Sequence, residues 1–176
     1  RVLLIDATQY FSTSKLAELR ITETPLGLMA LLSYANRELG KKINGKIIKS
    51  FVDYDSFEEL IQIVSEHKPD LIGIRLLSFF KNFANDTIKA INEYDENIPI
   101  IAGGPHPTID AEKFLRETDI QACVIGEGEL SLTEIISEMI DNNLRGGAFL
   151  SNEQLSRIKG IVFKVPANIP VPLATL

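Results

Sequence analysis

The sequence predicts a three-layer α/β protein with a doubly wound, mainly parallel five-stranded sheet. Short runs of branched apolar residues alternate with segments whose apolar residues recur at helical spacing, and the alternation repeats five times. The apolar runs lack polar alternation, as expected of strands buried on both faces. Two of them, Ile98–Ala102 and Ala122–Ile125, stop at or next to glycine, which lets the backbone turn tightly and another molecule approach closely.

The first strand is predicted at Arg1–Asp6. Residues 7–24 then form a connection too long for an ordinary strand-to-helix loop, and such loops are usually functional or disordered. Thr24 and Pro25 predict a helix start, because threonine can cap a helix and proline suits its first turn. We expect this helix to end at Gly40.

The same alternation continues through the rest of the chain. A second strand is expected at Gly45–Asp53, and the capping box Ser56-Phe57-Glu58-Glu59 opens the second helix. The remaining predicted elements are a strand at Asp70–Leu77, a helix at Phe83–Tyr94, a strand at Ile98–Ala102, a helix at Asp110–Glu117, a strand at Ala122–Ile125, a helix at Glu129–Asn142 and a final edge strand at Ile158–Val165.

Five such units favour a flavodoxin-like strand order of 2-1-3-4-5, with the final strand added at an edge. Ligands of such sheets bind in the crevice outside the carboxyl ends of the strands. Four connections are expected to meet there, namely residues 7–24, 78–82, 103–109 and 126–129. The sequence therefore predicts a binding crevice formed by these connections.

Composition excludes several classes of protein. A net charge of −6 argues against a nucleic-acid-binding surface, and no apolar run approaches the length of a membrane span. A single cysteine, Cys123, excludes an internal disulfide and fits a reducing cytoplasm. Its place within an apolar run favours a buried packing role over a nucleophilic one.

The ends of the sequence predict a module of a longer protein. Residues 166–176 contain three prolines and no charge, which is typical of an extended linker. We therefore expect one α/β domain at 1–165 and a linker at 166–176, the alternative being a complete small protein with a frayed tail.

Several common sites are missing. The segment after the first strand, Asp6-Ala7-Thr8-Gln9-Tyr10-Phe11, has none of the glycines of a dinucleotide-binding fingerprint. No cluster of histidine, cysteine and carboxylates has metal-site spacing, and neither histidine lies near a plausible nucleophile. We therefore assign no catalytic and no metal-binding residue.

The positive features lie after the fourth and fifth strands. Gly103 and Gly104 remove side chains where the fourth strand meets the crevice, and the neighbouring prolines are expected to hold His106 outward on a rigid turn. His106 then either hydrogen-bonds a ligand or only supports the turn. The loop Gly126-Glu127-Gly128-Glu129 precedes a helix, and its two carboxylates disfavour a bare phosphate there. Glu129 has the alternative role of stabilising the first helical turn.

These segments resemble the N-terminal cobalamin-binding domain of cobalamin-dependent radical S-adenosylmethionine enzymes. The resemblance covers nearly the whole chain, in the same order, and is carried by four strings: Pro25-Leu26-Gly27-Leu28, Gly103-Gly104-Pro105-His106-Pro107-Thr108, Gly126-Glu127-Gly128-Glu129 and Ile158-Lys159-Gly160-Ile161-Val162-Phe163.

The resemblance implies a cobalamin lying across the carboxyl edge, with its nucleotide tail reaching between strands. By position, the expected contacts are Asp6, Ala7, Thr8, Gln9 and Tyr10 at the corrin's lower face, Ser78 beside the tail, Gly103, Gly104, Pro105 and His106 along the corrin or tail, and Gly126, Glu127, Gly128 and Glu129 at the ribose or phosphate side. No histidine follows the first strand, which is typical of the radical branch and leaves no evident cobalt ligand.

The implied parent protein is a methyltransferase or a cyclase whose S-adenosylmethionine and 4Fe-4S cluster belong to a following radical domain. This chain alone is then expected to be catalytically silent. Two alternatives stay open: a cobalamin-free domain of the same fold that acts in interaction or substrate gating, and an unrelated flavodoxin-like small-molecule enzyme.

Overall fold

A computed structural model describes residues 1–16 and 23–165, and these form six strands and six α-helices. The strands are β1 (Val2–Asp6), β2 (Gly45–Lys49), β3 (Leu71–Arg75), β4 (Ile100–Gly103), β5 (Ala122–Val124) and β6 (Ile161–Phe163). The helices are α1 (Leu26–Leu39), α2 (Phe57–His67), α3 (Lys81–Tyr94), α4 (Pro105–Glu117), α5 (Glu129–Asp141) and α6 (Asn152–Leu155).

The strands form one sheet in the order β2-β1-β3-β4-β5-β6. β1 to β5 are parallel, and β6 pairs antiparallel with β5 at the edge. The predicted fold class, strand order and added edge strand are confirmed.

Each face of the sheet has its own hydrophobic core, and the two cores make the three layers. One core contains buried side chains of α2, α3 and α4, such as Leu60, Ile88 and Phe114. The other contains side chains of α1, α5 and α6, such as Leu28 and Ile135. Strand residues alternate between the two, because successive side chains of a strand point to opposite faces.

Several predicted boundaries are wrong. β2 ends at Lys49 rather than at Asp53, because the chain turns immediately afterwards and the carboxylate of Asp53 accepts the N–H of Lys49 at 2.7 Å. Helix α1 is not capped by the Thr24 hydroxyl, since Pro25 occupies the N-cap and no side chain bonds there. The short helix α6 was not expected.

Helix α4 begins at Pro105 and not at Asp110. The segment expected to be a stiff turn is therefore its first turn, in which proline at N1 is favourable because it lacks only an N–H that has no helical partner. Asp110 has non-helical dihedral angles and marks a kink. This shift changes the environment of the whole Pro-His-Pro segment.

Within residues 1–16 and 23–165, no helix is both long and apolar enough to cross a membrane.

Candidate functional site

The carboxyl ends of the central strands bring the predicted connections together. In the sheet register Asp6 of β1 lies beside Arg75 of β3, and Arg75 lies beside Gly103 of β4. β5 is next and leads into the loop at Gly126. The edge predicted from the sequence is therefore continuous across four parallel strands.

A crevice of about 190 Å³ opens at this edge, on the face covered by α1 and α5. Its lining includes Gly73, Gly103 and Gly104 of the sheet side and Gly27 of α1. A Cβ atom at Gly73 would lie 2.8 Å from Leu4 Cδ2, whereas one at Gly103 would meet nothing closer than 3.8 Å. A side chain at residue 73 would therefore displace the end of Leu4, whereas Gly103 leaves free space that a larger side chain would fill.

Gly104 has a structural reason to be glycine. Its φ is +100°, and a Cβ there would lie 3.0 Å from the Leu76 carbonyl oxygen. This close approach lets α4 start directly against the end of β3. The neighbouring loop is attached to the same point, because the Gly126 N–H donates to Thr108 Oγ1 at 3.1 Å and the Thr108 hydroxyl donates to the Gly104 carbonyl at 2.9 Å.

The predicted outward orientation of His106 is wrong. The residue is only 9% exposed, because it belongs to the first turn of α4 and packs its ring edge against Phe114. Nδ1 lies 3.1 Å from the Ser78 hydroxyl, and the buried Nε2 has no hydrogen-bond partner among the described residues. Burial lowers the pKa of His106, and Lys81 acts in the same direction, so the neutral ring is favoured.

The segment after β1 also lies mostly below the surface. Asp6, Ala7, Thr8 and Gln9 are buried, and only Tyr10 is half-exposed. The Tyr10 hydroxyl donates to the Phe79 carbonyl at 3.3 Å, and its ring packs against Phe79 and Phe80 of the β3–α3 connection and against Phe83 of α3. Four of the five expected contact residues of this segment therefore lie buried under the carboxyl edge and support it, and Tyr10 is the one nearest to solvent.

Sequence reasoning missed two charged residues at this edge. Lys49 Nζ donates to Asp6 Oδ2 at 2.8 Å and to the Thr8 hydroxyl at 3.0 Å. Arg75 donates from a terminal guanidinium nitrogen to Asp6 Oδ1 at 3.0 Å and lines the crevice. Both stand at the last position of a strand, directly after a pair of residues that includes a buried isoleucine, and this position was the available signal, because buried cations need a partner.

The connections at the carboxyl edge carry exposed large apolar side chains, which we call the apolar rim. Most of the exposed large apolar side chains belong to connections that leave this edge or to the first helical turns that follow them: Leu16, Leu26, Met29, Val52, Phe79, Ile109 and Leu130. Phe79 is 59% exposed. Exposed apolar side chains on several connections of one edge favour that edge as a surface that another molecule covers.

The loop after β5 places its two carboxylates differently. Glu127 is exposed and lines the crevice, whereas Glu129 is the first residue of α5. Gly128 between them is the N-cap of α5 with a φ of +79°. Of this predicted group, Gly126 and Glu127 thus border the crevice, together with Gly103 and Gly104. Ser78, Pro105 and His106 do not line it.

The Cys123 thiol and the potential metal ligands form no second reactive site among the described residues. The Cys123 thiol is buried, and burial raises its pKa to about 12, which keeps it protonated and unreactive at neutral pH. No group of three or more potential metal ligands occurs in the part of the chain that the structure describes.

Comparisons with known proteins agree with this architecture. Residues 16–136 match the family model described as the B12 binding domain. A protein of Pyrococcus horikoshii named uncharacterized methyltransferase PH0819 is 30% identical over 140 residues, which are 78% of this chain and 30% of that protein.

Two solved structures share the fold. The radical S-adenosylmethionine methyltransferase TsrM from Kitasatospora setae, with cobalamin and a 4Fe-4S cluster bound, gives a TM-score of 0.68 at 19% identity over 93% of this chain and 29% of that one. The cobalamin-dependent S-adenosylmethionine radical enzyme OxsB, with aqua-cobalamin and S-adenosylmethionine bound, gives 0.70 at 20% identity over 92% of this chain and 20% of that one. This chain spans less than a third of each of these three proteins.

The family resemblance predicted from the glycine-containing strings is confirmed by these matches. Since the family model covers more than half of the chain, and the sheet carries its crevice where such a domain binds its ligand, the chain belongs to the B12-binding domain family.

Proposed function

We propose that this chain is the cobalamin-binding module of a radical S-adenosylmethionine methyltransferase. The observation that carries the proposal is the crevice with its glycine lining at the carboxyl edge, where several connections also expose apolar side chains. At about 190 Å³ the crevice is smaller than the 300–1,000 Å³ typical of pockets for drug-sized ligands. It fits a flat ring substituent of a larger ligand, and the rim suits the larger part that stays outside.

The crevice would take the nucleotide tail. Gly103, Gly104, Gly126 and Glu127 would contact it, because these residues line the opening. The corrin would lie across the apolar rim beside Tyr10 and Phe79. Gly128 and Glu129 would lie where the corrin meets the tail.

The remaining predicted residues would support this surface from below. Asp6, Ala7, Thr8 and Gln9 are buried under the edge, and the Ser78–His106 pair holds the start of α4 against the end of β3. Pro105 sets the first turn of that helix. Their contribution is to fix the shape of the edge before the cofactor arrives.

Bound cobalamin supplies a carrier for a methyl group. The protein residues orient it and exclude water, which is the usual division of work between a cofactor and its protein. No histidine follows β1, so the proposal includes no cobalt ligand from that segment.

The partner of this module would be a radical S-adenosylmethionine domain of the same protein, reached through residues 166–176. S-adenosylmethionine and the 4Fe-4S cluster would belong to that domain. The longer relatives support this arrangement, since this chain spans only a part of each. We place the protein in the cytoplasm, in agreement with its single buried cysteine.

Titration with hydroxocobalamin, followed by visible absorption and gel filtration, tests the function. We expect the cofactor to co-migrate with the protein and to show a base-off spectrum, because a tail held in the crevice is removed from cobalt. No retention at tens of micromolar cobalamin would instead favour a cobalamin-free domain of the same fold, and protection by a nucleotide-sugar in a thermal-shift screen would point to a different small-molecule ligand.

A variant that fills the crevice with a side chain tests whether cobalamin enters it. Gly103→Val adds a side chain where the nearest atom to a Cβ is 3.8 Å away, so the fold should persist while the space is lost. We expect at least a roughly 10-fold loss of cobalamin affinity, the equivalent of about 1.4 kcal/mol. Ala148→Val enlarges an exposed residue near the opposite edge and should change nothing. Equal affinity of the two variants would show that the cofactor does not enter the crevice.

A further inference from the structure

The charges beneath the carboxyl edge do not cancel. The Asp6 side chain is 1% exposed, and its two oxygens are occupied by Lys49, which is 5% exposed, and by Arg75, which is 26% exposed. Two cations thus share one carboxylate, and this cluster keeps a net charge of +1. Charge in a poorly solvated place is unfavourable unless it is paired.

Neighbouring groups do not supply the missing negative charge. Thr8 only accepts a hydrogen bond from Lys49. The carboxylate of Asp53 is engaged by the backbone N–H of Lys49, and Asp53 is exposed. Glu127 lines the crevice together with Arg75, but the two form no ion pair in the described part of the chain. The excess positive charge is therefore available to another anion.

Arg75 is the member of the cluster that faces the crevice. Asp6 stands on one side of it in the sheet register and Gly103 on the other, and Gly103 has no side chain to cover the guanidinium. Only one of its terminal nitrogens is engaged by Asp6, and no other described residue accepts from the group. A planar guanidinium with free N–H groups matches the oxygens of a phosphate.

We propose that Arg75 anchors the phosphate of the cofactor's nucleotide tail. The inference rests on the proposed cobalamin function and assigns the tail's charge a partner in this chain. Asp6, which is itself fixed by Lys49, holds the Arg75 side chain in place, and the glycine at 103 leaves the approach open. The phosphodiester then neutralises the cluster at the moment of binding.

Cobinamide, a corrinoid without the nucleotide tail, separates this role from general cofactor binding. We expect Arg75→Ala to weaken cobalamin binding by roughly 10- to 100-fold, as is typical for a lost hydrogen bond to a charged group, with cobinamide affinity changed less than about threefold. Arg75→Lys should lie between Arg75→Ala and the wild type, because it keeps the charge but loses the planar fork. Arg116→Ala removes an exposed arginine from α4 and should alter neither affinity.

A second comparison needs no variant, should Arg75→Ala fail to fold. In the wild type, α-ribazole phosphate should compete with cobalamin more strongly than unphosphorylated α-ribazole does. Equal competition by the two, unchanged cobalamin affinity in Arg75→Ala, or equal losses for cobalamin and cobinamide would each overturn the role of Arg75 while leaving the proposed function in place. A wild type that binds neither corrinoid would overturn both.

Discussion

At the scale of single residues, Asp6 matters because it is the only carboxylate paired with the two cations beneath the edge among the described residues. Replacement by asparagine leaves Lys49 and Arg75 together without a counter-charge. We expect Asp6→Asn to lower the free energy of unfolding by about 3–5 kcal/mol, the usual cost of breaking a buried ion pair from one side. Urea unfolding followed by circular dichroism measures this.

The control is Glu112→Gln, which breaks an exposed pair with Arg116 one helical turn away. Its effect should stay below about 1 kcal/mol. If Asp6→Asn lowered the free energy of unfolding no more than this control does, the cluster would be far better solvated than its exposure implies. Solvent would then compensate the excess charge near Arg75.

Residue environments were the least predictable part of the site. His106 was expected to point outward because Gly-Gly-Pro-His-Pro is typical of a turn, yet proline one residue after a glycine is also typical of a helix start. Arg75 and Lys49 were overlooked because the register that pairs them with Asp6 is a property of the assembled sheet. A local pattern does not contain such a cross-strand relation.

At the scale of elements, α1 and α5 each have a glycine at their start, and replacement by alanine is expected to have opposite effects on stability at the two positions. Gly27 lies in the first turn of α1, and a Cβ added there would have no neighbour within 4 Å. Gly128 has a φ of +79°, and a Cβ there would lie 3.2 Å from Val124 Cγ1. The first position tolerates alanine and the second does not.

We expect Gly27→Ala to raise the free energy of unfolding by about 0.5–1 kcal/mol, because alanine loses less backbone entropy on folding. Gly128→Ala should lower it by about 1–2 kcal/mol, the cost of a left-handed conformation for a residue with a Cβ. Thermal unfolding without ligand measures both changes. Equal signs for the two variants would contradict the positive φ at residue 128.

The start of an element was predicted well where a side-chain cap is visible in the sequence. The end of an element was predicted poorly where a tight turn follows. The Ser56 hydroxyl accepts the N–H of Glu59 and starts α2 as predicted, while the Glu59 carboxylate accepts the N–H of Asp55 instead of completing the capping box at Ser56. β2 was predicted too long, because Phe51 and Val52 favour a strand although Asp53 bonds back to Lys49. The hydrogen bonds of this tight turn are local, but apolar periodicity carries no information about them.

At the scale of the whole molecule, the alternation of strands and helices was sufficient for the sheet order and for the edge at which the connections meet. The crevice itself was not predictable in detail. It requires Gly73 and Gly103 to face the same side as the start of α1, and it therefore depends on register and helix placement together.

The domain boundary gives a prediction at this scale. β6 covers the edge of β5, and Lys164 Nζ donates to the Thr118 carbonyl at 2.6 Å. We expect residues 1–165 to unfold with the same urea midpoint as the full chain. Ending at residue 157 instead removes buried Ile158 and Ile161 and should cost roughly 3–6 kcal/mol, at about 1.5–3 for each side chain. A lower midpoint for residues 1–165 would show that the last eleven residues belong to the folded unit.

The reversed direction of β6 decides the side from which the polypeptide departs. Ile161 stands beside Val124 at the crevice edge, and Phe163 stands beside Ala122, so the chain travels away from the crevice as it leaves the sheet. A domain that follows would have to be led back over the height of the sheet, roughly 17 Å for a five-residue strand. An extended chain advances by at most roughly 3.3–3.6 Å per residue, so about five residues are enough to cover that distance.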